Sequence, residues 1–293
     1  MPYHLKRKES VADGIRRIAS ETLQGALQDL RAHRPDVAHA ARKRLKMSRA
    51  ILRLARPGLD AADFDRENIA LRDIGLLLSP LRDADVFVSV MHTLEPLDPR
   101  HLGFPNISGI AHTGQREARR RILEAGTIAE ARTRLQTVEE RVDAWAGTSL
   151  HGSTLVKGLR ASYRKAQRSR EAAERSRRDD RWHEWRKRVK DLWYHLRVLR
   201  LVWPAVLDST IDELDRLDKS LGEDHDMAML GGHLRTLGRS PEMADEISRL
   251  KPLVRRRRQE LQQQAREQAQ ILLEAKPRVF ARQFEACWDA WRA

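Results

Sequence analysis

A single cysteine, Cys287, stands in 293 residues. One thiol makes no intramolecular disulfide and no thiolate metal cluster, and it suits a reducing compartment. There is no 18-residue apolar run, and the N-terminal stretch MPYHLKRKESVADGIRR lacks the apolar segment of an export signal. A soluble cytoplasmic protein is expected, neither exported nor membrane-bound. Aromatic residues make up only 5% of the chain, and six of the seven tryptophans follow residue 180. That supply fits core and rim packing better than a platform for stacking bases. No glycine-rich phosphate loop is present and β-branched clusters are scarce, which removes P-loop chemistry and argues against sheets.

Charge and helix formers fill the chain instead. Charged residues reach 33% and apolar ones 41%, in long runs of Ala, Leu, Arg and Glu that favour an all-α protein. The formal net charge is +14. Self-repulsion on that scale is tolerated where a polyanion is the partner: nucleic acid, a phosphate polymer or an acidic membrane. Charge alone does not choose among them.

The basic residues occur twice in one arrangement. HAARKRLK at residues 39–46 is matched by HEWRKRVK at 183–190, an offset of 144. This pairs His39 with His183, Arg42 with Arg186, Lys43 with Lys187, Arg44 with Arg188 and Lys46 with Lys190; Arg53 and Arg56 meet Arg197 and Arg200. Upstream, VADGIR lies over LVKGLR at the same offset; downstream, LSPLRDADVF lies over LGEDHDMAML at 143, with Asp83 on Asp226. Collinear matches of this kind point to an internal duplication, with repeats expected at 9–146 and 150–292. Two helical halves of one origin are expected to pack as two bundles about a pseudo-twofold axis.

Helix punctuation divides each half. A first helix is expected from about Glu9 to His33, broken at Arg34-Pro35, with Asp36 as N-cap of the basic helix that follows. Pro57-Gly58 closes that helix, and Pro204 does the same in the second half. Ser79-Pro80 reads as N-cap and first turn of another helix. Residues 95–110, rich in Pro and Gly, read as a loop; long charged helices are expected over 114–146 and 241–275, and Pro277 opens a last one.

On the first basic helix His39, Arg42, Lys46, Arg49, Arg53 and Arg56 follow a 3-4-3-4-3 spacing and share one stripe. At ~1.5 Å rise per residue the row runs roughly 25 Å. Like charges at i,i+4 cost a few tenths of a kcal/mol per pair, and an anion lying along the row reverses that sign. A charged stripe is usually a solvated face, but such a face mixes signs, and this one carries no Asp or Glu. The second helix repeats the stripe with Trp193 in the place of Arg49. Arg forks and Lys ammonium groups suit phosphate oxygens, and His adds a charge tunable near neutral pH. Arg44 and Arg188 fall instead on the apolar arc, where Asp83 and Asp226 are the expected buried partners.

HAARKRLKMSR and HEWRKRVKDLWY resemble the twice-occurring signature helix of the CHAD family, the conserved-histidine α-helical domain, and LRDADV and LGEDHDMAML resemble its second landmark. The resemblance covers essentially the whole chain. It implies an all-helical fold of two bundle-like repeats that binds inorganic polyphosphate through basic helix faces lining a shared groove, and a place on polyphosphate granules. Carried over by position, the implied contacts are His39, Arg42, Lys43, Lys46, Arg49 and Arg53, then His183, Arg186, Lys187, Lys190, Tyr194 and Arg197. Trp193 departs from the usual Arg there. Many relatives carry a triphosphatase domain ahead of this module; its E-x-E-x-K-like strand is not found before residue 11, so a stand-alone binding module is expected.

No catalytic residue, cofactor or metal site is expected. His225-Asp226 resembles a metal-hydrolase dipeptide, but the matched pair is Arg82-Asp83, which supplies no imidazole. The alternatives to polyphosphate binding are a general nucleic-acid binder and a phosphatase acting on polyphosphate; the former wants helix-turn-helix geometry or stacking aromatics.

Overall fold

Apolar residues every three or four positions, between runs of Arg, Glu and Gln, produce an all-helical chain with no strand among the described residues. The computed structural model describes residues 3–32, 36–145, 149–176, 178–238 and 241–293. The expected break at Arg34-Pro35, the helix end at His33 and the boundary at 146 lie outside them. The first sequence half contains α1 (Val11–Arg31), α2 (Val37–Ala55), α3 (Ala61–Leu77), α4 (Ser79–Leu94), α5 (Pro105–Glu124) and α6 (Thr127–Glu140). The second contains α7 (Gly152–Glu174), α8 (Asp179–Val198), α9 (Pro204–Leu237), α10 (Ala244–Leu272) and α11 (Pro277–Arg292).

Local chemistry sets most of these ends. Ser10 accepts the Asp13 N–H at the start of α1, and Asp60 accepts from Ala62 and Asp63 at the start of α3. Proline sits in the first turn of α4, α5, α9 and α11, where its missing N–H costs nothing. Pro204 therefore opens α9, after a 3-10 turn at Arg200–Val202 ends the preceding stretch. Ser79 is the first residue of α4 rather than its N-cap, and its hydroxyl donates back to the Gly75 carbonyl of α3 at 3.2 Å. Gly222-Glu223, at the matched positions, carries no proline, and α9 runs unbroken through them.

Two expectations change for tertiary reasons. The loop at 95–110 shrinks to a 3-10 turn, Glu95–Leu97, and the segment before Pro105. Its remainder becomes helix because Glu246 of α10, 5% exposed, accepts the N–H groups of Asn106 and Ile107 at 3.0 and 2.9 Å. The single helix expected over 114–146 splits at Gly126, which takes a left-handed φ of 64° between α5 and α6.

Packing ignores the sequence boundary. One core joins Leu23, Leu45, Leu52 and Leu135 to Leu155, Trp185, Leu192 and Phe284. A second joins Val88, Met91, Leu94 and Ile107 of α4 and α5 to Leu230, Leu250 and Leu261 of α9 and α10. Each core draws on both halves, so the packing runs across the sequence boundary. Shared cores let each half cover apolar stripes that its partner leaves open.

A close crossing between the halves is α7 over the end of α2. A Cβ built on Gly158 would lie 2.0 Å from the Leu54 carbonyl oxygen, a backbone atom that cannot swing away. Gly109, inside α5, has nothing within 4 Å of its Cβ position. Gly158→Ala is expected to cost about 1–3 kcal/mol by overpacking, whereas Gly109→Ala adds about 0.5–1 kcal/mol through helix propensity. Urea denaturation of the two variants checks the opposite signs.

Candidate functional site

The apolar arc of α2 (Ala38, Ala41, Leu45, Ser48, Leu52) is buried, as are Trp182, Trp185, Val189 and Leu192 of α8. Burying those arcs turns both basic stripes toward each other. Together with α3, α4 and α9 they enclose a cleft of about 560 Å³. Ten Lys and Arg side chains line it against four carboxylates. Two basic helices repel, so the seam between them needs specific bonds. His195 of α8, 1% exposed, places Nε2 2.8 Å from the Ala50 carbonyl of α2 and therefore donates there. Asp191 of α8 accepts from Arg53 of α2 at 2.7 Å and from Arg188 at 3.3 Å.

Of the residues expected from the sequence, Arg42, Lys46, Arg49 and Arg53 of α2 line the cleft, with His183, Arg186, Lys187, Lys190 and Tyr194 of α8. His39 and Lys43 are exposed and stand outside its lining. Arg197 is also outside: its guanidinium lies over the rings of Trp193 and Tyr3, at 4.6 and 5.4 Å from their centroids. Arg56 stacks on Phe64 and Arg200 forks onto Asp208, so neither stripe reaches its full expected length.

Several cations in the cleft are already engaged. Arg42 donates from one guanidinium nitrogen to the Gly75 carbonyl and the Ser79 hydroxyl, bridging the break between α3 and α4. Arg49 donates to Asn68 at 3.1 Å. Lys190 is paired with the Asp218 carboxylate of α9 and sits 4.4 Å over the Trp193 ring. At the matched positions the partners exchange. Arg186 has no acceptor among the described residues and leans over Gly222, whose Cβ would lie 3.4 Å from it, with its Nε buried and unpartnered. Lys46 has no carboxylate partner among them either, while its counterpart Lys190 has Asp218. Tyr194, 1% exposed, keeps an unpartnered hydroxyl in the cleft wall.

The electrostatics follow from the crowding. Limited hydration, then Arg186, Arg42, Arg82 and Lys190, push the Lys46 amine down to about 7, although its side chain remains open to the cleft solvent. Burial, then Lys187 and Arg186, lower His183 to about 4. Burial and His183 lower His225 to about 3; the two rings stack with centroids 4.1 Å apart. Arg49 falls to about 10, through burial and then Arg53.

The assigned partners of the arc arginines are corrected. Arg44 pairs with Asp29 of α1 at 2.6 Å, lying across Gly25, where a Cβ would meet its guanidinium at 2.4 Å. Arg188 bonds Glu184 and Asp191. Asp83 and Asp226 instead bracket Arg82, at 3.3 and 2.9 Å, linking α4 to α9. Arg72, Arg82, Arg188 and His225 line the cleft without having been assigned to it. The signal available for Arg82 and His225 was their matched position beside Asp83 and Asp226.

Imidazoles held below their ordinary value make the fold acid-sensitive. The unfolded chain takes up protons near pH 6.5, whereas His195, His183 and His225 in the folded chain refuse them until about 4, 4 and 3. Stability is therefore present above pH 6.5 and falls as pH drops through that window. His195 alone is expected to remove about 1 kcal/mol at pH 5.5. Urea midpoints at pH 7 and 5.5 measure the loss, and His195→Gln, which still donates to Ala50, should lessen it.

The family model for the CHAD domain matches residues 16–235. The crystal structure of the CHAD domain from the plant Ricinus communis superimposes with a TM-score of 0.59 at 17% identity, covering 99% of this chain and 95% of that one. That likeness is one of fold. No curated protein matches the sequence. With a model spanning most of its length, two matched basic helices and the same helical fold, the chain belongs to the CHAD domain family.

Proposed function

We propose that the protein binds inorganic polyphosphate in the cleft between α2 and α8, as a binding module rather than an enzyme. The observation that carries this reading is the unbalanced lining among the described residues, ten cations to four carboxylates, with Arg186 and Lys46 left without anionic partners among them. An empty cleft of that charge is electrostatically costly, and a linear polyanion relieves it along its whole length. The matched positions of the two basic helices support a duplication over 9–146 and 150–292 that brings both stripes to one thread about a pseudo-twofold axis. Residence on cytoplasmic polyphosphate granules is the cellular consequence of this reading. Arg186, Lys46 and the Tyr194 hydroxyl are the free donors; Arg53 and Lys190 act mainly through the field they add, because carboxylates already hold them.

Lys46→Glu combined with Arg186→Glu is expected to weaken polyphosphate binding by about 3 kcal/mol or more, roughly a hundredfold in Kd, from two lost charged hydrogen bonds. Arg42 is avoided in this test because it also ties α3 to α4. Calorimetric titration of the double variant, with far-UV circular dichroism as a folding control, gives the answer; an unaltered Kd overturns the assignment. Displacement of bound polyphosphate by equimolar duplex DNA at fixed salt would favour the nucleic-acid reading instead.

The Lys46 amine supplies a pH dependence. A bound polyanion raises its pKa above the free value of about 7, so the charge contributes fully below pH 7 and is lost as pH rises through the higher bound value. Affinity should fall between pH 7 and 9, with net proton uptake on binding at pH 7.5. Calorimetry in buffers of different ionisation enthalpy measures that uptake. Lys46→Arg, charged throughout, should abolish it.

A further inference from the structure

Lys46 differs from the other cleft cations in chemistry as well as charge. It is a primary amine on α2 that no carboxylate neutralises among the described residues, and it shares the cleft with Arg186, whose guanidinium also has no acceptor. Its matched residue Lys190 has its ammonium group taken by Asp218 and seated over Trp193. Lys43, three residues away on α2, stands outside the cleft, and Lys187 of α8, which lines it, has the Glu184 carboxylate 3.5 Å away. One nucleophile and one unoccupied anion fork thus line the same cleft.

From this juxtaposition we infer that Lys46 is a selective acylation site for small acyl phosphates, whose phosphate end docks on Arg186 while the amine meets the acyl carbon. The Lys46 Nζ lone pair forms the new N–C bond and the C–O bond to phosphate breaks. Inorganic phosphate leaves with that electron pair, and the extra proton on nitrogen passes to solvent. The product is a neutral amide, and no redox partner takes part. Two features make this site reactive where other lysines are not. About half of its amine is unprotonated at pH 7, since limited hydration and neighbouring cations hold it at about 7. The anionic reagent is also concentrated by the same field. Acylation deletes one of the two free cations, so under the polyphosphate reading it lowers affinity for the polymer; the modification itself rests only on the anion-attracting cleft.

The test uses the full chain with acetyl phosphate at pH 7.5 and peptide mass spectrometry over time. Lys46 is expected to acetylate at least about tenfold faster than Lys43, because Lys46 shares the cleft with the Arg186 fork and Lys43 stands outside it, and docking on that fork is worth about one charged hydrogen bond. An uncharged acetylating ester serves as the second probe. Arg186→Gln should reduce the ratio of acetyl phosphate rate to ester rate at Lys46 by about tenfold, the worth of one charged hydrogen bond. Even labelling of Lys43, Lys46 and Lys187 overturns the proposal, and so does a rate ratio that Arg186→Gln leaves unchanged. Selective labelling of Lys46 that saturating polyphosphate fails to suppress sustains the acylation site and counts against the polyphosphate reading. Tight polyphosphate binding with even labelling does the reverse.

Discussion

Everything in the cleft depends on two like-charged helices lying side by side. The contact between α2 and α8 holds because its apolar arcs are buried on one side and its charges are partly neutralised at the seam. His195 anchors to the Ala50 carbonyl, and Asp191 lies between Arg53 and Arg188. Removing one partner of such a half-buried pair leaves a charge without compensation, at a cost of about 1–3 kcal/mol. The carboxylates at this seam therefore fix the spacing of the helices and leave the outer cations unsatisfied.

Neutralisation is distributed unevenly, and the unevenness gives the site its character. In the first basic helix the arginine is tied, by the end of α3, and the lysine is free. In the second the arginine is free and the lysine is tied, by Asp218. The exchange follows from one matched position, Gly75 in α3 against Asp218 in α9. A glycine offers only a carbonyl to the first stripe, whereas an aspartate offers a carboxylate to the second. Among the described residues one free fork and one free amine then share the cleft rather than two identical pairs.

The second core, from α4, α5, α9 and α10, has its own part in this. It packs the later turns of α4 against α9, so that Ser79, Arg82 and Asp83 at the start of α4 and Asp218, His225 and Met229 in the middle of α9 wall the cleft. Arg82, held between Asp83 and Asp226, links the two walls where they diverge. Buried Asp98 and Arg249 join the far end of that bundle across the halves.

Much was legible from residues alone. Helix type, the two basic stripes and seven of the nine expected positions that line the cleft follow from periodicity and charge, because a 3.6-residue repeat fixes which side chains share a face; Lys187 and Tyr194 rested on the family resemblance. His39, Lys43 and Arg197 escaped that logic: a face on a helical wheel does not say how far along its length a neighbouring helix covers it. The partners of Arg44 and Arg188 escaped it as well, since matched aspartates on α4 and α9 were plausible by register, yet Asp29, Glu184 and Asp191 stand nearer once α1 and α8 are packed. The sequence by itself determined a basic, all-helical chain with paired cationic stripes. Only the tertiary structure decided which of those cations are spent on internal carboxylates and carbonyls and which remain open, because that choice depends on distances between helices far apart in the chain.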